Sequence, residues 1–434
     1  MAPSPQELDQ VRRQVESMAE KLELYPPGSI DAKLPPADRL GDLRRGRRPG
    51  ARPRLLTLEL VERDGLVYWE LAPLPRPELR RARLGRGLLR RVLASKETAQ
   101  LEPNEITGYL ERLDGALTPC RGLRQWTAQG LVPCPRVAAA GRVLLFVHGT
   151  FSNSDHLFEE VQKAPNGPDL LGRALAQYTQ ILAFDHPSLS VSPMLNAMDL
   201  RDAMAGSAAA VDIVCHSRGG LVSRWWMETL DPLPARSRKA VFVGSPLTGT
   251  SLASPPRLRA GLKLLSTYAV LLSGAAMAAP LLNVPSALLR IFGSVAGAGA
   301  GVPLIDAGVA LVPGLSGQSR VNNAQELNRL NRNCGARPPH YFFVTSNFDP
   351  EQAGWNVLKG ARQLATRAAN AAADLLVFPG DNDLVVDTAA MTEPWSLEAG
   401  APVLRFENAA GVHHTSYFQQ RETIDFIARS LAIA

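Results

Sequence analysis

Residues 211–226, VDIVCHSRGGLVSRWW, run from an apolar strand into a segment with helical spacing, and Ser217 lies at the change. A serine in such a strand-to-helix turn is lifted above the sheet, where its hydroxyl can attack a substrate. The strained turn requires small residues two positions before and two positions after the serine. Gly219 satisfies one side, and Cys215 stands where the pattern Gly-x-Ser-x-Gly has its first glycine. A tightly packed cysteine is small enough, so we predict that Ser217 is a nucleophile; a polar turn residue is the alternative.

Upstream of this turn, the apolar run 142–147 leads into His-Gly-Thr at 148–150. The motif resembles the oxyanion loop of lipases, in which a backbone N–H after His-Gly points at the developing negative charge. This resemblance assigns one donor to Thr150 and the second to the N–H of Arg218, the residue after the predicted nucleophile. Phe151 is the alternative donor. The histidine of the motif is expected to brace the loop.

The candidate acid lies in PGDNDLVVDT, residues 379–388, where Asp381, Asp383 and Asp387 compete. Asn-Asp-Leu-Val-Val is similar to the turns that carry the triad acid in many lipases, so Asp383 is preferred. A solvated acidic loop is the alternative.

The candidate base lies between the last strand and the last helix, where His413 and His414 are adjacent. The form His-Thr-Ser-Tyr-Phe is similar to the His-x-x-Tyr-Phe endings of lipase-like hydrolases, and this favours His414. His413 would then lie at the rim of the site.

The order oxyanion loop, serine, aspartate, histidine is that of the α/β-hydrolase fold. Residues 141–434 resemble a lipase-type α/β-hydrolase, of the branch with lipase-like and GPI-inositol-deacylase-like domains. SPLTGTSLA at 245–253 is similar to the Pro-x-x-Gly-Thr-x-x-Ala stretch of that branch. The resemblance implies a serine esterase that cleaves a carboxylic ester of a lipid or other hydrophobic acyl group, without a metal or an organic cofactor. The alternatives are a scaffold protein that retains the fold, and an acyltransferase or amidase with the same triad.

Short apolar strands alternate with amphipathic helices from residue 141 onward, which predicts a mostly parallel sheet covered on both faces. The predicted strands are RVLLFV, QILAF, VDIVC, KAVFVG, HYFFVTS and VLRFEN. The predicted helices lie near 169–178, 195–206, 219–230, 322–332, 355–373 and 419–432.

Residues 1–118 lie outside the resemblance and are expected to form a separate α+β region, followed by a linker at 119–140. Residues 6–24 have helical spacing. Alternating apolar and polar residues on both sides of Asp64-Gly65 predict a β-hairpin. The segment 75–118 is basic and is predicted to be helical.

The first 100 residues hold the whole excess of positive charge, with 20 Lys and Arg against 14 Asp and Glu. A solvated basic face is the first interpretation, and an anionic membrane surface or an acidic partner are alternatives. Nucleic acid is not expected as a partner, since no aromatic-interleaved RNA motif is present. The polar N-terminus lacks the apolar core of a signal peptide, so we expect a cytoplasmic protein, or one in peripheral contact with a membrane.

An apolar insertion lies at about 255–319, and from residue 264 onward its only charges are Arg290 and Asp306. Prolines and polar residues interrupt it, so a buried or lid-like cap is the preferred prediction. Interfacial membrane contact and a transmembrane hairpin are the alternatives.

Overall fold

In the computed structural model, the chain forms two compact units. One comprises residues 1–106, 259–308 and 355–375, and the other 107–258, 309–354 and 376–434. The residues that the structure describes are 55–63, 66–72, 90–101, 103–231, 238–250, 286–291, 294, 312–319, 325–332, 340–348, 382–383, 385–393 and 401–434. The helices predicted at 6–24 and 355–373 lie outside them.

The first unit contains a three-stranded antiparallel sheet. Strands β1 (Leu55–Arg63) and β2 (Leu66–Leu71) pair with Arg63 opposite Leu66. They lie where the hairpin around residues 64 and 65 is predicted. Leu58 and Leu60 of β1 are buried while Thr57 and Glu59 are less so, as expected for a strand with one face on a core.

The third strand of this sheet corrects the predicted helix at 75–118. Strand β3 (Arg90–Ala99) pairs antiparallel with β1, with Ala94 opposite Leu60. Val92 packs against buried side chains of β1 and β2, and Ala94 is also buried. These contacts between strands override the helical propensity of a segment rich in arginine and leucine. The helical prediction holds for α1 (Ile106–Leu117).

The predicted apolar insertion belongs to both units: residues 259–308 are part of the first unit, and the remainder is part of the larger unit. In this first unit, residues 286–291 are helical, and Leu288 and Ile291 are fully buried. The Oγ of Ser294 accepts a hydrogen bond from the N–H of Leu101 at 2.7 Å. Of the rest of the predicted cap, only 312–319 is described, in the larger unit. No helix in the described ranges is both long and apolar enough to span a bilayer.

The larger unit is built on an eight-stranded sheet. All six predicted strands are present: β6 (Arg142–Val147), β7 (Gln180–Asp185), β8 (Ala210–His216), β9 (Arg238–Val243), β10 (His340–Ser346) and β11 (Val403–Phe406). They are mutually parallel, in the spatial order β11-β10-β9-β8-β6-β7. Helices cover both faces, and the unit has the α/β-hydrolase fold.

The sheet begins earlier in the chain than predicted. Residues 119–140, predicted as a linker, contain β4 (Gly122–Thr127) and β5 (Gly130–Pro133), which form an antiparallel hairpin beside β7. Trp126 is the buried residue of β4. A short edge hairpin of this kind lacks the continuous apolar run that marks the buried strands, so the sequence pattern does not reveal it.

Between successive parallel strands lie the helices α2 (Ser154–Lys163), α3 (Gly167–Gln177), α4 (Pro193–Ala203), α5 (Gly219–Trp225) and α6 (Gln325–Arg332). The last helix, α7 (Arg421–Leu431), follows β11. The sequence predicts all of these but α2 to within a few residues. The Asn153 side chain caps α2 by accepting a hydrogen bond from the N–H of His156, an N-cap signal that the sequence contains.

The central strands do not alternate apolar and polar residues, because both of their faces are buried, as β6 shows. Leu144 and Phe146 pack on one face, in the cluster that includes α2, α3 and α7. Leu145 and Val147 pack on the other face with α4 and α5. All four side chains are almost completely buried. Each such burial contributes about 1.5–3 kcal/mol, so this strand holds the two helical layers together.

Candidate active site

Ser217 follows β8 and precedes α5, in the turn predicted from the sequence. Its φ of 52° lies in the left-handed region, which non-glycine residues seldom adopt. The Ser217 N–H donates to the carbonyl of Val243 at 2.9 Å, which fixes the turn to β9. Ser217 is 5% exposed, so its surroundings are largely closed to water.

The residues on either side of the turn are small because the backbone approaches closely. A side chain at Gly219 would collide with the carbonyl oxygens of Val147 and His148. Cys215 is fully buried, and its Sγ donates to the carbonyl of Val241 at 3.4 Å. Burial raises the pKa of this thiol to about 12, so it stays protonated. The position two residues before the serine therefore accommodates a neutral thiol.

His414 lies between β11 and α7 and joins two other predicted site residues. Its Nε2 is 2.9 Å from the Oγ of Ser217, and its Nδ1 is 2.7 Å from Oδ2 of Asp383. Because an ionised carboxylate only accepts, Nδ1 carries the hydrogen, and Nε2 of the neutral ring can accept the serine proton. His414 is 7% exposed and Asp383 is fully buried.

Asp383 lies beside β10, although residues 349–381 intervene in the chain. The N–H of Phe348, just after the strand, donates to the carbonyl of Asn382 at 2.7 Å. Asn382 is thus in contact with Phe348, so the acid lies beside the carboxyl end of β10. Asp381 lies outside the described residues. The backbone of Asp387 forms an isolated antiparallel β-bridge with Asn382, and Asp387 precedes the helical turn Thr388–Met391.

The carboxylate of Asp383 is held by four groups. Its Oδ1 accepts hydrogen bonds from the N–H groups of Val385 and Val386, at 3.0 and 2.8 Å. Its Oδ2 accepts from Tyr417 at 2.9 Å as well as from His414. These four donors fix the orientation of the carboxylate toward the imidazole.

His413 has a different environment from its neighbour. Its ring packs edge-on against Phe348, with 5.6 Å between ring centroids, and its Nδ1 lies 3.2 Å from the hydroxyl of Thr415. Burial lowers the pKa of His413 to about 4. The structure thus brings His414, and not His413, within hydrogen-bond distance of Ser217.

The predicted oxyanion loop lies against the serine. A Cβ atom added at Gly149 would come within 2.7 Å of the Cβ of Ser217, so the loop and the turn are in direct contact. Within the described part of the chain, the backbone N–H groups of Thr150 and Arg218 donate to no acceptor. The N–H of Phe151, the alternative donor, is bonded to the Oγ of Ser188 at 3.1 Å.

His148 braces this loop. Its Nε2 accepts from the N–H of His186 at 3.2 Å, so its Nδ1 carries the hydrogen and donates to the carbonyl of Gly149 at 2.9 Å. The two imidazoles stack, with 4.1 Å between ring centroids. Burial lowers the pKa of His148 to about 4, so the ring is neutral at neutral pH.

Two residues of the site are not identified by the sequence patterns. The Nε2–H of His216 donates to the carbonyl of His414 at 2.9 Å, and burial lowers the pKa of His216 to about 3. Tyr417 donates to Asp383, and burial raises its pKa well above the usual value, so it remains a donor. The sequence shows that His216 is next to Ser217, but it does not show that His216 is hydrogen-bonded to the carbonyl of His414.

The arrangement offers the parts of a proton-transfer site: a hydroxyl, an imidazole in contact with it, and a carboxylate behind the imidazole. The N–H groups of Thr150, in the loop, and of Arg218, after the serine, have no acceptor among the described residues, and an N–H in such a place can donate to a negative charge. No group of three or more His, Cys, Asp or Glu side chains within the described ranges could hold a metal ion.

A known family matches most of the chain. The sequence profile described as "Domain of unknown function (DUF7379)" matches residues 120–432. The chain belongs to this family. The DUF7379 match begins at residue 120 rather than at the predicted domain boundary, 141, so it includes the β4–β5 hairpin in the domain.

The sequence matches no curated protein. Among solved structures, the chain is similar to a Bacillus licheniformis lipase, BlEst2 in mature form, at 15% identity over 66% of this chain and 91% of that chain, with a TM-score of 0.36. It is similar to EstA from Clostridium botulinum at 12% identity over 78% and 99%, with a TM-score of 0.38. A thermophilic carboxylesterase from a metagenomic library, EstE1, is 13% identical over 76% and 97%, with a TM-score of 0.32. The predicted branch with GPI-inositol-deacylase-like domains stays a prediction.

Proposed function

We propose that the protein is a serine hydrolase that cleaves a carboxylic ester. The observation that carries this proposal is the chain of two hydrogen bonds from Asp383 through His414 to Ser217, at 2.7 and 2.9 Å. A serine hydroxyl is a weak nucleophile unless a positioned base takes its proton and a third group orients that base. All three groups are buried at the carboxyl ends of the strands, where the fold places its reactive residues.

In the proposed reaction, Ser217 Oγ attacks the ester carbonyl while His414 Nε2 takes the hydroxyl proton. The Asp383 carboxylate stabilises the imidazolium that forms. The N–H groups of Thr150 and Arg218 donate to the oxyanion of the tetrahedral intermediate. The intermediate collapses as His414 returns the proton to the leaving alcohol, and an acyl-enzyme remains. Water, deprotonated by His414, then attacks the acyl carbon, which releases the acid and restores the serine.

We further propose that the acyl group is hydrophobic. The far end of the apolar insertion, residues 312–319, contacts the candidate oxyanion loop: the Nε2 of Gln318 donates to Thr150 Oγ1 at 3.2 Å. The N–H of Gly314 donates to the carbonyl of Leu189, and Thr250 N–H donates to the carbonyl of Gln318. An apolar segment anchored at this point is suited to line the path of an acyl chain.

A fluorophosphonate probe tests the chemistry, because it phosphonylates a serine that a neighbouring base activates. The wild-type protein is expected to label at Ser217, and Ser217→Ala is expected to label not at all. Ser223→Ala is the matched control, since Ser223 is likewise a buried serine and lies in α5, the helix that follows Ser217. Equal labelling of wild type and Ser217→Ala would contradict the proposal and favour a scaffold role.

The substrate class is tested by p-nitrophenyl esters of increasing chain length. The proposal expects kcat/KM to rise from acetyl to longer acyl groups. A preference for acetyl would contradict a hydrophobic acyl site while leaving the ester chemistry intact. Amide substrates and alcohol acceptors in the same assay test amidase and acyltransferase activity.

A further inference from the structure

Asp114 is a buried carboxylate outside the catalytic chain, in a helix that precedes the matched family region. It lies near the end of α1 and is fully buried. A buried carboxylate is costly unless donors surround it. Its partners are therefore informative about what it does.

The donors come from one short loop between β7 and α4. Asp114 accepts the backbone N–H groups of Ser188, Leu189 and Ser190, at distances of 2.6–3.1 Å. The hydroxyl of Ser190 adds a further bond at 2.6 Å. Three successive N–H groups around one carboxylate form an anion-binding concavity, which fixes the loop backbone.

This loop in turn holds the oxyanion loop. The Oγ of Ser188 accepts the N–H of Phe151 at 3.1 Å. Phe151 has a φ of 59°, a left-handed conformation that is unfavourable for a non-glycine residue. The bond to Ser188 holds it there, and it directly follows Thr150, the residue whose N–H is proposed to donate to the oxyanion.

Residues 117 and 118, at the end of α1, make two further contacts with the residues that follow the oxyanion loop. The hydroxyl of Thr118 donates to the carbonyl of Ser152 at 3.2 Å. The Nδ2 of Asn153 donates to the carbonyl of Leu117 at 2.8 Å. The segment 114–118 thus contacts Ser152 and Asn153 directly and Phe151 through Ser188, and these three residues directly follow the oxyanion loop.

We propose that Asp114 is a positioning residue, which holds the oxyanion loop in its active geometry through Ser188. The inference rests on the proposed hydrolase function. Asp114 does not touch the reacting atoms. Its loss would leave Ser217, His414 and Asp383 in contact while the Thr150 N–H shifts from the place where the oxyanion forms. Such a shift weakens binding of the transition state more than binding of the substrate.

The test uses Asp114→Asn and Ser188→Ala in the full chain, with the preferred ester from the chain-length series. Each variant is expected to lower kcat by roughly 10- to 100-fold and to change KM by less than about threefold, because a small misplacement has a large effect on the transition state. Binding of a trifluoromethyl ketone, which forms an oxyanion on the serine, should weaken by a similar factor. The double variant should lose no more than the worse single variant, since both act on one path.

Asp212→Asn is the matched control for loss of a buried carboxylate. Asp212 is 5% exposed and is hydrogen-bonded in the same unit, by Tyr178 at 2.7 Å and Arg142 at 2.8 Å. It should lower thermal stability while kcat and ketone affinity stay within about twofold of wild type, because it lies away from the oxyanion donors. Unchanged kcat and ketone affinity in both test variants, or fully additive losses in the double variant, would overturn the inference. A wild-type protein that is neither labelled at Ser217 nor active would instead overturn the proposed function, and this role with it.

Discussion

Two buried carboxylates of the larger unit lie at opposite ends of the strands of one sheet and have matching partners. Asp383 follows β10 at the carboxyl end and accepts hydrogen bonds from Tyr417 and His414. Asp212 is near the beginning of β8, at the amino end, and accepts hydrogen bonds from a tyrosine and an arginine. Each carboxylate thus has one phenol and one side-chain nitrogen among its donors, besides backbone N–H groups: those of Val385 and Val386 for Asp383, and that of Lys239 for Asp212.

The difference between the two regions lies in the nitrogen donor. Arg142 stays charged at any accessible pH, so its pair with Asp212 is a fixed ion pair that ties β6 to β8. An imidazole can gain and lose a proton, so the pair with Asp383 can change charge during a reaction. One cluster is suited to hold the sheet together, and the other is suited to move a proton.

The largest expected effect comes from removing the proposed nucleophile or its proposed base. Ser217→Ala and His414→Ala should each lower kcat by roughly 10⁴-fold or more, because neither an attacking hydroxyl nor its base can be replaced by water alone. Steady-state hydrolysis of a long-chain ester measures this loss. His413→Ala is the control and should keep most activity; the opposite result would assign the base to His413.

Asp383→Asn and Asp212→Asn test the comparison directly. Asp383→Asn should lower kcat by roughly 10³- to 10⁴-fold, since an amide cannot stabilise the imidazolium and can favour the wrong tautomer. Asp212→Asn should leave kcat near wild type but lower the midpoint of urea unfolding, because it breaks a partly buried ion pair. Both variants need kinetics and unfolding curves. An equal loss of kcat in the two would show that the regions do not differ in role.

Tyr417 and Tyr178, which donate to Asp383 and Asp212, should differ in the same way in their effect on kcat, but by a smaller factor. Tyr417→Phe removes one donor to Asp383 and should lower kcat about tenfold, the value of one hydrogen bond to a charged group. Tyr178→Phe should change kcat by less than about twofold and act on stability alone, since its partner is Asp212. The ester assay and urea unfolding of both variants measure the difference. A Tyr417→Phe variant with wild-type kcat would mean that the two main-chain donors orient Asp383 without help.

Acid pH should destabilise the carboxyl end of the sheet through its neutral histidines. Burial lowers the pKa of His413 to about 4, below the value of about 6.5 in an unfolded chain. Between these two values the unfolded state binds more protons, so the free energy of unfolding falls as pH falls from about 6.5 toward 4. His413→Gln should reduce this dependence in urea unfolding at about pH 7 and about pH 4.5. His340→Gln, at an exposed position, is the control, and an unchanged slope in His413→Gln would contradict the assignment.

Sequence patterns identify the buried strands because each is a continuous apolar run bounded by turns, as in RVLLFV of β6. They miss β3 because it is an edge strand rich in charged and polar residues, and they miss the β4–β5 hairpin because its two short strands contain no long apolar run. They also miss α2, although Asn153 at its N-cap and the pair Leu157 and Val161 at helical spacing are visible.

Some residues of the candidate site can be predicted from short local motifs, whereas others depend on contacts between residues that are distant in the sequence. Turns that are local in sequence predict Ser217 and His414, and a short motif predicts Asp383. Asp114 cannot be found in this way, because its partners lie 74 to 76 residues away and only folding makes them neighbours. Tyr417 and His216 lie beside predicted residues, but their hydrogen bonds cross between elements.

Cys215 bears on how related chains can be recognised. Its Sγ fills a space bounded by the carbonyl of Val241, and its thiol is neutral and inaccessible. The requirement two residues before the serine is thus an upper limit on side-chain volume. A search pattern that demands glycine there would pass over this protein, whereas one that admits glycine, alanine, serine and cysteine would retrieve it. The same property makes alkylating reagents unable to report on this turn, because the thiolate that they need does not form.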